Sequence, residues 1–246
     1  MSDVVVITGA AGGVGKAIAR ELHASGYDVV IADLDEVAAQ TVATDLAVTG
    51  ARAIGVHVDV ADRASVAWVL AKAVDEFGHL EALVNCAAIT QARPLMEITS
   101  AEFDRVMQIN AGGTFSATQM FGAYFADHGY GRIVNIASLA GQNGGTATGG
   151  HYAASKGAMI AITKVFAREL AVRNVTVNAI APGPHATASV MDLVGAERFD
   201  EFVSRIPVGQ VGDPAFIGRI VALLVDRGAG FVTGATWDVN GGLYVR

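Results

Sequence analysis

The 246-residue chain holds one cysteine, Cys86, so an internal disulfide framework is excluded and a reducing compartment fits. No apolar run approaches the roughly 18 residues of a membrane span, and residues 1–8 show no charged leader with a cleavage site. Positive charge is scarce. Lys and Arg number 17 against 24 Asp and Glu, and the formal charge of −7 argues against a nucleic-acid surface. His23, His57, His79 and His128 are scattered without metal-ligand spacing, so no metal site is expected. No low-complexity linker interrupts the chain. These absences lead to the expectation of a soluble cytoplasmic protein with neither membrane nor nucleic-acid partners.

What is present is apolar sequence in short, regular pieces. Hydrophobic residues make up 52% of the chain, and the mean hydropathy is +0.42, as a parallel sheet buried on both faces requires. Apolar runs near 3–8, 28–32, 53–58, 81–85, 131–137, 174–180 and 231–238 read as seven strands. Amphipathic stretches near 14–25, 35–48, 62–77, 100–127, 152–172 and 213–226 read as the helices between them. Such alternation predicts an α/β fold: a single doubly wound (Rossmann-type) parallel sheet of about seven strands with helices on both faces. One domain is expected over 1–246.

The first strand runs into Thr8-Gly9-Ala10-Ala11-Gly12-Gly13-Val14-Gly15 and then a helix. Glycines let the backbone approach a pyrophosphate, and the helix end offers free N–H groups and partial positive charge. The second apolar run ends at Asp33, about twenty residues beyond the glycines, where a carboxylate accepts both hydroxyls of an adenosine ribose. A 2′-phosphate needs a cation at Leu34 or Gly12, and neither is basic. NAD is therefore the expected cofactor. The competing reading makes Asp33 a cap for the helix that starts near Asp35.

Tyr152 and Lys156 stand four residues apart in a helix-like stretch, with Ser138 upstream. A helix puts that pair on one face. An ammonium beside a phenol favours the phenolate and draws its pKa down from about 10, so the tyrosine can exchange a proton with a hydroxyl near neutral pH.

The glycine spacing of Gly9, Gly13 and Gly15, together with Tyr152 and Lys156, resembles the short-chain dehydrogenase/reductase family, and the resemblance runs along nearly the whole chain. Asp59 and Val60 fall where the family contacts the adenine ring. Asn85-Cys86-Ala87-Ala88 occupies the place of its Asn-Asn-Ala-Gly motif, so that Cβ at position 88 is accommodated only if φ stays negative there. Asn110 matches the helix asparagine of the catalytic tetrad, and Ser138 its serine. Pro182, Gly183, His185 and Thr187 fall in the segment on the nicotinamide side. The resemblance implies that Tyr152 exchanges the proton, Lys156 tunes it and binds the nicotinamide ribose, Ser138 steadies the carbonyl oxygen, and Asn110 holds a water leading to solvent. It also implies a mobile cover over the substrate at 186–210 and a homotetramer or dimer paired through helices near 100–127 and 152–172. Ala153, Ala154, Gly157, Ala158 and Ala161 give the latter helix a small-residue surface, which either meets a partner or packs on the protein's own sheet.

The substrate is less legible. The loop 139–151 is small and polar, and with Gln91, Asn143, His151 and His185 it suits a secondary alcohol or ketone bearing a second polar group. A hydroxy ketone, an amino alcohol and a cyclic polyol all qualify. Met191, Phe199 and Phe202 are candidates for covering an apolar part of the same molecule. For His151, substrate contact and an outward position at the helix start are both open. The alternative function is a 3-oxoacyl thioester reductase, for which Arg132, Arg168 and Arg173 are candidate cations toward an acidic carrier protein. Family members that build fatty acids usually take NADPH, which Asp33 disfavours. A non-catalytic dinucleotide-sensing protein has no reason to keep Asn110, Ser138, Tyr152 and Lys156 together.

Overall fold

The computed structural model describes residues 2–48, 50–145 and 148–245. Seven strands form one sheet: β1 (Val4–Thr8), β2 (Asp28–Asp33), β3 (Ala53–His57), β4 (Ala82–Asn85), β5 (Gly131–Ile136), β6 (Val175–Pro182) and β7 (Thr236–Val239). Their order is β3-β2-β1-β4-β5-β6-β7, and every pairing is parallel. The order reverses between β1 and β4, which opens a crevice at their carboxyl ends.

Alternation along each strand divides the apolar side chains between two cores. Val5, Ile7, Val29 and Ile31 face helices α1 (Gly13–Ala24), α2 (Glu36–Leu46) and α10 (Pro214–Val225). Val4, Val6, Val30 and Ala32 face α3 (Arg63–Phe77), α5 (Gly113–His128) and α7 (Gly150–Leu170). A strand covered on both sides has no polar face, which is why these runs are continuously apolar.

The stretch 100–127 is not one uniform helix. It runs as α4 (Ser100–Val106), a π turn over Met107–Gly112, and then α5. The widened turn falls on Asn110. At the carboxyl end, residues 231–235 lie outside the strand expected over 231–238. Asp226 accepts from the Gly228 N–H and starts a 3-10 turn, and Gly234 at φ +74° turns the chain into β7. Three short helices fall in the polar loop 139–151 and in the segment 186–210 expected to cover the substrate, for which a short amphipathic helix is one reading of the sequence: α6 (Ala140–Asn143), α8 (Ala188–Val194) and α9 (Phe199–Ser204).

Arg132 is not a surface cation, which corrects its candidacy as a contact for an acidic carrier. It is 1% exposed. It donates to the carbonyls of Gly131, Asn174, Asp226 and Arg227 at 2.9 to 3.4 Å, and its guanidinium stacks over Tyr130. The residue thereby ties the start of β5 to the start of β6 and the end of α10. Hydrogen bonds from a charged donor contribute about 1.5–3 kcal/mol each, and a linear ammonium cannot reproduce the fork. Arg132→Lys is expected to lower the thermal midpoint by about 5–10 °C, read by a calorimetric scan; an unchanged midpoint would remove this residue from the fold's supports.

Candidate active site

At the switch point the chain builds a cradle. Gly9 has φ +67°, and a Cβ there would stand 2.6 Å from Ala87 Cα; a Cβ on Gly15 would stand 2.1 Å from the Gly9 carbonyl oxygen. Gly12 and Gly13, by contrast, face open space. The first pair closes the turn onto β4 and α1, and the second leaves a bare backbone above the α1 amino terminus. A pyrophosphate fits such a surface. Thr8 fastens it from below, its hydroxyl donating to Val84 O and accepting from the backbone N–H groups of Cys86 and Ala87.

Asp33 is not the cap of α2. That role belongs to Asp35, which accepts from Ala38 N–H at 3.0 Å. The Asp33 carboxylate accepts from Ala11 N–H in the glycine turn at 3.0 Å and from Asp35 N–H at 3.2 Å. It therefore stands at the rim of the cradle. Leu34 beside it is 68% exposed and supplies no charge.

Five strand ends meet here. Beyond β4, Asn110 grips the chain, its amide oxygen accepting from Ile89 N–H at 2.8 Å and its amide nitrogen donating to Ile89 O and to Ser155 Oγ. The Asn110 backbone carbonyl, in the π turn, accepts from the Gly113 N–H and from the Thr114 hydroxyl. Ser138 lies just past β5 and pairs with the Tyr152 hydroxyl, and its own oxygen accepts from Ala140 N–H. Lys156 is 2% exposed and donates to Ile136 O at 2.7 Å. Its ammonium is 5.7 Å from the centre of the Tyr152 ring.

Burial pushes the Tyr152 phenol above its usual value, and the hydrogen bond from Ser138 opposes that rise. Burial likewise pulls Lys156 down to about 8, against a small upward pull from Cys86. The protein alone thus does not hold Tyr152 as a phenolate near pH 7. The reason is desolvation, which disfavours both charged forms at once. The Cys86 thiol is pushed up to about 11 by the same burial, with Lys156 pulling it down, so it stays protonated.

The remaining candidates divide. Asp59 accepts from Ala61 N–H, Val60 packs on Gly113, and Asn85 is buried with its amide on Thr118 and Asn135. Ala88 keeps a negative φ, since Asn174 is the sole non-glycine with positive φ among the described residues. Gly183 follows β6 directly and donates to Val239 O. His185 is 4% exposed and its Nδ1–H donates to Gly183 O, so it is set in the wall below β6. Thr187 caps α8 through Val190 N–H.

Gln91 is drawn away from the cleft. Its amide reaches Glu102, whose carboxyl the Thr99 backbone and hydroxyl and then Arg93 hold down to about 2. Asn143 spends its oxygen on Gly145 N–H. Met191 is largely exposed, while Phe199 and Phe202 are half-buried. His151 is buried, which excludes the outward position. Of the small residues on α7, Ala153 faces the interior whereas Ala154 and Ala161 are exposed. Three contributors were missed in the sequence: Thr8, Asn135 and Thr163. Asn135 passes its amide to the Thr163 hydroxyl at 2.9 Å, and a polar residue within each apolar run was the available signal.

A parallel sheet with a phosphate cradle at its reversal, and a tyrosine with lysine and serine facing it, defines a dinucleotide-dependent oxidoreductase. Comparison with known proteins narrows this. A family profile described as enoyl-(acyl carrier protein) reductase matches residues 9–244. The short-chain reductase protein NovJ of Streptomyces niveus is 37% identical, covering 98% of this chain and 93% of its own length. The 3-oxoacyl-[acyl-carrier-protein] reductase FabG of Staphylococcus aureus is 34% identical across 100% and 99%. The (2S)-[(R)-hydroxy(phenyl)methyl]succinyl-CoA dehydrogenase subunit BbsD of Thauera aromatica is 34% identical across 97% and 95%. The chain belongs to the short-chain dehydrogenase/reductase family, and its cofactor is a nicotinamide dinucleotide. Among the described residues, no helix is long and apolar enough to cross a membrane.

Keeping Lys156 dry has a consequence for stability. Its folded pKa is depressed from 10.5 to about 8, so between these values the unfolded chain binds more protons and stability rises with pH. The penalty is largest below pH 8 and is on the order of 3 kcal/mol. Lys156→Met is expected to raise the thermal midpoint at pH 7 while abolishing turnover, with the advantage narrowing from pH 8 to 10.5. A variant less stable than the parent at every pH would contradict the assignment of that cost.

Proposed function

We propose that the protein interconverts a secondary alcohol and a ketone with NAD. The observation that carries this reading is the Tyr152–Ser138 contact with Lys156 packed behind it at the end of β5. A carbonyl oxygen placed between the two hydroxyls receives a proton from Tyr152 and a hydrogen bond from Ser138, which steadies the charge that develops there. The bound nicotinamide supplies or takes the hydride. Its positive ring, in the oxidised form, would favour the phenolate that the protein alone disfavours. Lys156 adds charge from behind and reaches toward the nicotinamide ribose, and Asn110, by resemblance to the family, holds a water that links Lys156 to solvent. Asp33, at the rim of the cradle with no cation beside it, favours ribose hydroxyls over a 2′-phosphate.

The substrate is a small or medium-sized molecule with a second polar group, covered by the 186–210 segment. The protein is cytoplasmic and a homotetramer, with exposed Phe115, Val165 and Val172 on α5, α7 and the turn after it forming part of the pairing face. A second reading, reduction of a 3-oxoacyl thioester, is favoured by the names of FabG and BbsD, both of which act on acyl thioesters. With Arg132 buried, Arg168 and Arg173 are the two of the three candidate cations that remain exposed for an acidic carrier.

Tyr152→Phe is expected to lose at least about a thousandfold in kcat while still binding NADH, as followed by cofactor fluorescence; retention of most turnover would refute the assignment. Asp33→Ala combined with Leu34→Arg is expected to move the preference toward NADP. An unaltered enzyme that already prefers NADPH would overturn the role given to Asp33. Parallel assays with 3-hydroxyacyl thioesters and simple secondary alcohols separate the two substrate readings.

A further inference from the structure

None of the chemistry above uses the side chain of His151. Its imidazole is 1% exposed, yet among the described residues neither Nδ1 nor Nε2 has a hydrogen-bond partner. An unmade hydrogen bond on a buried polar group costs about 1–3 kcal/mol, and few such groups persist in folded proteins without a reason. The chain also makes room for this ring. Gly149 has φ +80°, and a Cβ there would stand 2.7 Å from His151 Cε1, 2.9 Å from its Nδ1 and 2.9 Å from the Gln91 carbonyl oxygen. The imidazole thus fills the space of a side chain at position 149.

His151 lies one turn before Ser155, and Ser155 meets Asn110 in the π turn. Both residues are buried on the face of α7 turned toward α4. Between the first turns of these helices opens a cavity of about 410 Å³. Leu95, Ile98 and Phe103 make its apolar wall, Ser100 and Asp104 bring polar side chains to it, and the buried His151 lies in its lining.

A neutral imidazole offers one N–H and one lone pair, so its matching ligand group both donates and accepts. A hydroxyl does both. A carboxylate only accepts, and it would meet the Asp104 carboxylate on the same cavity wall. We infer that this cavity is a subsite for the arm of the substrate remote from the reacting carbon, an apolar stem bearing a hydroxyl that His151 hydrogen-bonds. The inference rests on the alcohol–ketone reading, and it places the arm one residue along the helix from the proton donor.

The test uses 7-hydroxyheptan-2-one and heptan-2-one as matched probes. In histidine-labelled protein carrying NAD, the ring signals of His151, identified by their loss in His151→Gln, should move on adding the hydroxy ketone and stay near their place with heptan-2-one. With NADH, replacing His151 by Phe should lower kcat/KM for the hydroxy ketone relative to heptan-2-one by about 2- to 10-fold, mostly through KM. His151→Gln, which keeps a donor and an acceptor, should retain most of the ratio. Ser100→Trp fills the cavity from its exposed rim and should remove both the shift and the ratio, even where His151→Phe does not fold. Unmoved His151 signals, or an equal loss for both ketones, would overturn the subsite. Ring shifts without turnover of either ketone would instead sink the proposed reaction and leave the subsite standing.

Discussion

The site depends on holding an ammonium where water does not reach. Lys156 is almost wholly buried and gives a hydrogen bond to Ile136 O, a carbonyl at the very end of β5. Burial dominates its proton affinity against an opposing pull from Cys86, and the lysine settles at about 8. A residue in this state is poor for folding and useful for chemistry. It titrates close to the working pH, and its charge acts at full strength on whatever lies beside it because the surroundings are of low polarity. Tyr152 shares the same dry wall, which is why burial lifts its phenol instead of lowering it.

Such a charge stays in place only if the frame around it cannot relax toward solvent. The frame is a set of buried amides and hydroxyls that cross between elements. Asn85 on β4 donates to Asn135 on β5 and Thr118 on α5, and Asn135 donates to Thr163 on α7. Asn110 completes the set by taking both backbone groups of Ile89, so the chain leaving β4 is paired as if another strand ran beside it. Each of these groups is satisfied, and a fully satisfied buried network is rigid where a partly satisfied one is a liability. The π turn over 107–112 is the local distortion that lets one helix present Asn110 and still continue as α5.

The architecture was legible because its signals are local and repeated. Seven short apolar runs with helical patterns between them specify a parallel sheet, and the strand ends were read to within a few residues at β1 to β5. Where the reading slipped, a nonlocal or purely conformational cause was responsible. Residues 231–235 are apolar enough to suggest a strand, but the turn begun by Asp226 takes precedence. Gln91 is polar and close in sequence to the site, yet the ion pair of Arg93 with Glu102 offers it a stronger partner. Arg132 looked like any surface cation, since nothing in a sequence shows that four carbonyls from distant segments converge on one guanidinium.

The contrast between Lys156 and His151 separates two ways of spending stability. The cost at Lys156 is offset in part within the chain, by the Ile136 carbonyl that accepts its hydrogen bond. At His151 the described residues supply nothing, although Ser155 one turn away and Asn110 beyond it show that polar partners were within reach of this helix face. A glycine with positive φ at 149 then keeps the neighbouring volume free for the ring. Relaxation alone would turn the imidazole toward solvent or toward the nearest hydroxyl. Its retention between a backbone turn and an apolar cavity makes sense when the missing partner arrives from outside the chain, because the unpaired nitrogens then reward the ligand that satisfies them and penalise one that does not.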